Sequence, residues 1–320
     1  MESRSRHESV HRMQFGVEWP PGNVACYVID GPEPILVDAA APDHAGAFVD
    51  ALSDLGRSPA DIEHVVITHP HVDHLGQLPA VLEAGDPTVY APVGIRSRLR
   101  QDPDRLRSRV RRNLLESGFP DDRREALTEM AVRSLERNDG LLPTDAVDVW
   151  MEPGRAATVG DLELDPVHLP GHQADHLSYR TELDGDRVLL AGDMGLEPFR
   201  SIVMHDGFDD GYRDAFDAFY TALDRMARLD VERVYPGHGP VHDDLPGIVE
   251  RDRKSLDARL DRVVALVTDG YETAPEIASA LVGDRDLDYM AAEAMSALAH
   301  LERTDRLSIE RIDGVRHYRP

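Results

Sequence analysis

Between Thr68 and Gly76 the chain reads Thr-His-Pro-His-Val-Asp-His-Leu-Gly, which places His69, His71, Asp73 and His74 within six residues. The stretch follows the apolar run Val65-Val66-Ile67 and precedes Leu75, Leu78, Val81 and Leu82 at helical spacing, so it sits at a strand-to-helix corner. Imidazole nitrogens and carboxylate oxygens suit zinc and similar borderline metals. Alternation along an extended loop points His69 and His71 to one side and leaves Asp73 and His74 to face a second ion.

Three further punctuations carry the same residue types. Leu169-Pro170-Gly171-His172 puts a histidine after a strand pattern, Ala191-Gly192-Asp193 ends a strand on an aspartate, and Tyr235-Pro236-Gly237-His238 ends another on a histidine. Each lies beside a glycine, which allows close approach. Singly each would be an ordinary turn; with the histidine-rich loop they form a pattern.

The elements around these residues alternate. Met13–Trp19 and Val24–Ile29 read as strands joined by Pro20-Pro21-Gly22-Asn23, and a third strand ends Ile35-Leu36-Val37-Asp38, giving an antiparallel meander. A helical pattern over 43–55, the strand His64–Thr68, a helix closing at 81–85 and the strand Thr88–Ala91 make an α/β layer arrangement. Strand patterns resume at 147–151 and 162–169, then at 177–181 and 187–191 with Asp184-Gly185 as a hairpin turn.

Residues 92 to about 145 form a polar helical insertion. From Arg96 to Arg112 eight arginines face Asp102 and Asp104, a local +6 inside a chain of net charge −25. Leu106, Val110 and Leu114 would form its buried stripe, grouping Arg105, Arg109 and Arg112 on a neighbouring face. Those three are candidates to hold an anionic substrate; the alternative is a solvated helix neutralised by acidic neighbours. Past residue 249 the pattern is three helices, one opened by the capping box Thr273-Ala274-Pro275-Glu276, and two strands around Asp313-Gly314.

Composition sets the limits. A chain of 320 residues has room for a large domain and a small one. Sixty acids outweigh 35 bases, and Lys254 is the single lysine. An acidic, lysine-poor surface stays hydrated in concentrated salt, so a salt-loving (halophilic) source is expected, with an ordinary acidic protein as the alternative. Cys26 is the only cysteine, which rules out an internal disulfide and thiolate clusters. The stretch from Met1 to His11 has no apolar core and no run approaches membrane-spanning length, so a cytoplasmic protein is expected.

The residues singled out resemble the metallo-β-lactamase fold superfamily over roughly residues 12 to 245. The resemblance implies an α/β fold, a four-layer αβ/βα sandwich with a binuclear site at one edge of its two sheets. It assigns His69, His71 and His172 to one metal, Asp73, His74 and His238 to the other, and Asp193 as the bridge, with Asp38 orienting a ligand. Two divalent ions are implied, zinc first, with iron or manganese as alternatives. His168 and His176 are expected to support or pack rather than ligate. The ligand set is that of glyoxalase-II-like thioesterases, whereas the commonest class B lactamases place a cysteine on the second metal. Residues 1–248 would be the hydrolase domain, and 249–320 resembles the winged-helix-like domain that similar hydrolases carry.

The function implied is hydrolysis by a metal-bridging hydroxide, with Asp73 and Asp193 in the catalytic centre. The expected partner is a small-molecule acyl substrate, such as a thioester whose anionic tail is that of coenzyme A. The alternative is a nuclease or phosphodiesterase acting on RNA or DNA, disfavoured by the net charge. The C-terminal segment is expected to pack or to form a homodimer rather than to read nucleic acid.

Overall fold

The computed structural model describes residues 9–283 and 288–320; the charged stretch 1–8, on which part of the leader reading rests, lies outside them. Six strands form the first sheet in sequence order: β1 (Val10–Gly16), β2 (Asn23–Ile29), β3 (Ile35–Val37), β4 (His64–Val66), β5 (Thr88–Pro92) and β6 (Val149–Met151). The first three are the expected antiparallel meander, and β3 to β6 run parallel. The second sheet contains β7 (Ala157–Val159), β8 (Leu162–His168), β9 (Leu177–Leu183), β10 (Asp186–Gly192) and β11 (Arg233–Pro236), in the order β11-β10-β9-β8-β7. Only β10 and β11 are parallel within it.

Side-chain alternation explains the layering. Along β2, Ala25, Tyr27 and Ile29 join Leu164, Tyr179, Val188 and Leu190 in an apolar layer between the two sheets. The intervening Val24, Cys26 and Val28 face α1 (Ala45–Asp54), α2 (Val72–Leu75), α3 (Leu78–Ala84) and α4 (Val93–Leu99), through Phe48, Leu52, Leu75, Leu78, Val81 and Ile95. On the far side, Leu189, Ala191 and Val234 meet the helices of a third cluster. Helices, sheet, sheet, helices: a four-layer sandwich with both sheets covered, as strands apolar on both faces require.

The insertion is helical, as expected: α4 is followed by α5 (Pro103–Glu116) and α6 (Asp121–Leu141). Asp102 caps α5 by accepting from the amides of Asp104 and Arg105, and Leu106, Val110 and Leu114 are its buried stripe. Two elements were not anticipated. One is β7, three residues long; the other is α7 (Ala215–Met226), which lays Phe216, Phe219, Leu223 and Met226 under the second sheet. The chain then runs through α8 (Leu245–Thr268), α9 (Ala274–Val282), α10 (Asp288–Arg303), β12 (Ser308–Ile312) and β13 (Val315–Arg319). Thr273 and Glu276 form the capping box of α9, and Asp313 and Gly314 take φ of 50° and 84° in the two-residue turn between β12 and β13. Buried residues of α5, α6, α7, α8, α9 and α10 belong to one continuous apolar cluster with Leu307 and Tyr318. Among the described residues no helix is long and apolar enough to cross a membrane.

Candidate metal centre

Each site residue leaves the carboxyl end of a strand, where open α/β sheets present their ligand-binding crevice. Asp38 follows β3, the 68–76 loop follows β4, His172 lies beyond β8, Asp193 follows β10 and His238 follows β11. The sheets are tied together at this edge. Leu177 N donates to Thr68 O at 3.0 Å, Tyr179 Oη to Ile67 O at 2.7 Å, and Tyr27 Oη to Pro236 O at 2.6 Å.

The seven side chains converge as two groups. His69, His71, His172 and Asp193 form one, and Asp73, His74 and His238 the other, with donor atoms in each group within 4.8 Å of one another. In the first, His71 Nδ1 lies 3.0 Å from both His69 Nε2 and His172 Nε2. In the second, His238 Nε2 lies 3.3 Å from Asp73 Oδ2. Asp193 spans the two: Oδ2 is 3.2 Å from both His172 Nε2 and His238 Nε2, and Oδ1 is 3.2 Å from His74 Nε2. His71 is extended, but a helical turn begins at Val72 and swings Asp73 and His74 to the second group.

The donor set fits metal ions. His74 Nε2 and Asp193 Oδ1 are buried and face each other at 3.2 Å without a hydrogen bond, an arrangement that a cation would satisfy. Space is reserved by glycine. A Cβ on Gly237 would come 2.5 Å from Asp193 Oδ1, and one on Gly192, at φ 55°, would come 2.7 Å from Thr68 Oγ1.

The outer nitrogens are tethered so that the inner ones point inward. Asp38 Oδ2 accepts from His74 Nδ1 at 2.8 Å and from Thr68 Oγ1 at 2.8 Å, while Thr68 Oγ1 is 3.0 Å from His69 Nδ1. Asp38 holds φ at 58° and Ala40 at 49°, a conformation non-glycine residues seldom adopt. The segment they shape grips the loop through Ala39 N to His74 O, Gly76 N to Ala40 O and Gln77 N to Ala39 O, at 2.7–2.8 Å. His238 Nδ1 donates to Asn23 O at 2.5 Å and His172 Nδ1 to Ile202 O at 3.1 Å. His176 Nε2 accepts the amide of Asp193 at 3.0 Å, so it holds the backbone of that aspartate; His168 Nε2 bonds Ala174 O at 2.7 Å, away from the cluster. The carbonyls of Asn23 and Ile202 were invisible to residue-type reasoning, because any residue supplies a carbonyl.

The arginines of the insertion are mostly partnered by acids. Arg109 forks onto both oxygens of Asp209 at 2.6 Å, Arg112 pairs with Asp210 at 2.6 Å, and Arg98 bridges Asp175 and Asp206. Arg105 differs: its side chain is 83% exposed and its Asp102 contact is 3.9 Å.

Comparisons with known proteins give the chain's relatives. A beta-lactamase-like protein 2 homolog from Caenorhabditis elegans is 27% identical over 233 residues, 72% of this chain but 60% of that protein's length. A probable metallo-hydrolase, YqjP, from Bacillus subtilis is 24% identical over 94% of both chains. Among solved structures, the metallo-beta-lactamase family protein TTHA1429 from Thermus thermophilus superposes with a TM-score of 0.79 at 24% identity, covering 97% of this chain and 98% of that one. With residues 19–238 matching the family as a whole, the chain belongs to the metallo-beta-lactamase superfamily.

Proposed function

We propose that the protein is a binuclear metal-dependent hydrolase acting on a thioester or other activated acyl group with an anionic tail. The observation that carries the reading is the convergence of seven donors from separate strand ends, with His74 Nε2 and Asp193 Oδ1 buried 3.2 Å apart and without a hydrogen bond. The Bacillus relative's description as a probable metallo-hydrolase supports it. Nitrogen and oxygen donors suit two zinc ions, and accept iron or manganese according to supply. Bound there, such ions supply a nucleophilic water at neutral pH and polarise the acyl oxygen.

The remaining work falls to side chains. Asp193, closest to both groups, fixes their separation. Asp73 is the less enclosed of the two carboxylates, 12% against 5% exposed, and is assigned to accept the proton shed by the attacking water. Arg105 and Arg109 line an open cleft with Asp104 and Ser108, and the clamp for an anionic tail rests on Arg105, because Asp209 and Asp210 already neutralise Arg109 and Arg112. We assign residues 249–320 to packing against the hydrolase part, in keeping with their share of the common apolar cluster.

The test is a matched-salt incubation of zinc-loaded protein with acyl thioesters and with single-stranded RNA. Thioester cleavage supports the reading, and RNA cleavage alone overturns it. Neutralising Arg105, Arg109 and Arg112 together should raise KM for anionic thioesters several-fold; an unchanged KM removes the clamp.

A further inference from the structure

The ligand histidines differ in what holds their outer nitrogen. His74 bonds the Asp38 carboxylate directly, and His238 bonds a plain carbonyl. His172 Nδ1 donates to Ile202 O at 3.1 Å, and the same peptide group's N–H, that of Val203, donates to Glu293 Oε2 at 3.2 Å. One amide thus stands between a ligand histidine and a carboxylate on α10.

That carboxylate is built in. Glu293 is 1% exposed, and Arg200 forks onto it at 2.8 and 3.1 Å while Arg259 reaches Oε1 at 2.8 Å. Burial alone would push its carboxyl up, but Arg200 and Arg259 outweigh it and hold the group ionised, below its ordinary range. Arg200 also donates to Ser201 O at 2.9 Å and to Ser255 Oγ of α8 at 3.1 Å, and His205 N bonds His172 O at 2.8 Å. The 200–205 segment is therefore pinned to α8 and α10 on one side and to His172 on the other. An amide whose N–H is bound by an anion has a more negative carbonyl oxygen and accepts a stronger hydrogen bond.

Resting on the metal-hydrolase reading, we propose that Glu293 is a positioning residue. Through the 202–203 peptide group it orients the His172 imidazole and strengthens its donor nitrogen, so that α10 sets the metal affinity of the His69/His71/His172 group.

Zinc competition titrations with a chelator on the full chain test this, with each group isolated in a His238→Ala or a His172→Ala background. Glu293→Gln should weaken zinc about tenfold or more in the His238→Ala background. In the His172→Ala background it should change zinc affinity less than twofold. The His172 Nδ1–H proton resonance of the zinc-loaded protein should move upfield in Glu293→Gln, and an unmoved resonance overturns the relay. If Glu293→Gln alone fails to fold, Glu293→Gln with Arg200→Gln removes both buried charges together and is titrated instead. Unchanged affinity in the His238→Ala background, or equal weakening in both, overturns the relay while the metal reading stands. A parent protein that takes up no zinc overturns the metal reading and the relay with it.

Discussion

The two halves of the candidate centre share a residue type and differ in electrostatics. Around His69 and His71 the neighbours are mostly imidazoles, so burial, reinforced by those rings, holds His69 well below the ordinary histidine range and His71 at about 3. Around His74 and His238 the neighbours are carboxylates. Burial again opposes charge there, but Asp193, with Asp38 for His74 and Asp73 for both, outweighs it, lifting His74 well above its ordinary range and His238 to about 10. Without metal, the first half presents neutral bases and the second holds protons where a cation would sit. The carboxylates, more than the histidines, decide how each half receives an ion.

Asp193 belongs to both halves, and removing it should have the largest effect. Asp193→Ala is expected to cost about 10³-fold or more in hydrolysis, the scale for a group on which the whole centre depends. Metal analysis should show fewer than two ions per chain; full occupancy would mean the halves are independent.

Asp38 serves His74 directly and His69 only through Thr68. Asp38→Asn should therefore weaken zinc by about 10- to 100-fold in the second half and less in the first. Chelator titrations in the two single-site backgrounds read the difference, and equal losses would erase the contrast.

Proton release sharpens the comparison further. At pH 7.5 zinc uptake should expel about one to two protons, because the second half must shed those on His74 and His238 before it can ligate. Weakly buffered titrations should show the release shrinking towards pH 10 and largely lost in His238→Ala. The same shift has a stability consequence with a definite sign. The folded pKa of His238 exceeds the unfolded value of about 6.5, so its contribution is complete below that pH and fades as pH rises through about 10. Metal-free protein should lose unfolding free energy across that window, and denaturant melts at pH 7 and 10 would show it.

The smallest effect is expected at the exposed pairs of the insertion. Arg112 and Asp210 are both about half exposed, so Arg112→Gln should change stability by no more than about 1 kcal/mol, measured by the same melts.

What could be read beforehand was local. The 68–76 loop, the Thr273–Glu276 cap and the Asp-Gly turns each announce themselves within a few residues, because their physics is confined to a few residues. The stripe of α5 was legible for the same reason. Helix α7 carried a usable signal in Phe216, Phe219, Leu223 and Met226, whereas β7 is too short for alternation to register. The arginine-rich stretch was visible as a charge reversal, but its partners Asp209 and Asp210 lie some hundred positions later, and no spacing rule joins them. Glu293 reads in the sequence as an acid that argues against nucleic-acid binding by its helix; its tie to the centre was not legible, because an acid on a helix looks like a solvated face until its burial is known.

The common core of the insertion and the C-terminal helices has a consequence for synthesis. Leu106, Val110 and Leu114 leave the ribosome long before Leu256, Leu260 and Leu298, with which they share one apolar cluster. Until those later segments emerge, the insertion lacks part of its cover, so the nascent chain carries a sticky surface beside a nearly finished sandwich. Completion of the last helices is the event expected to close it.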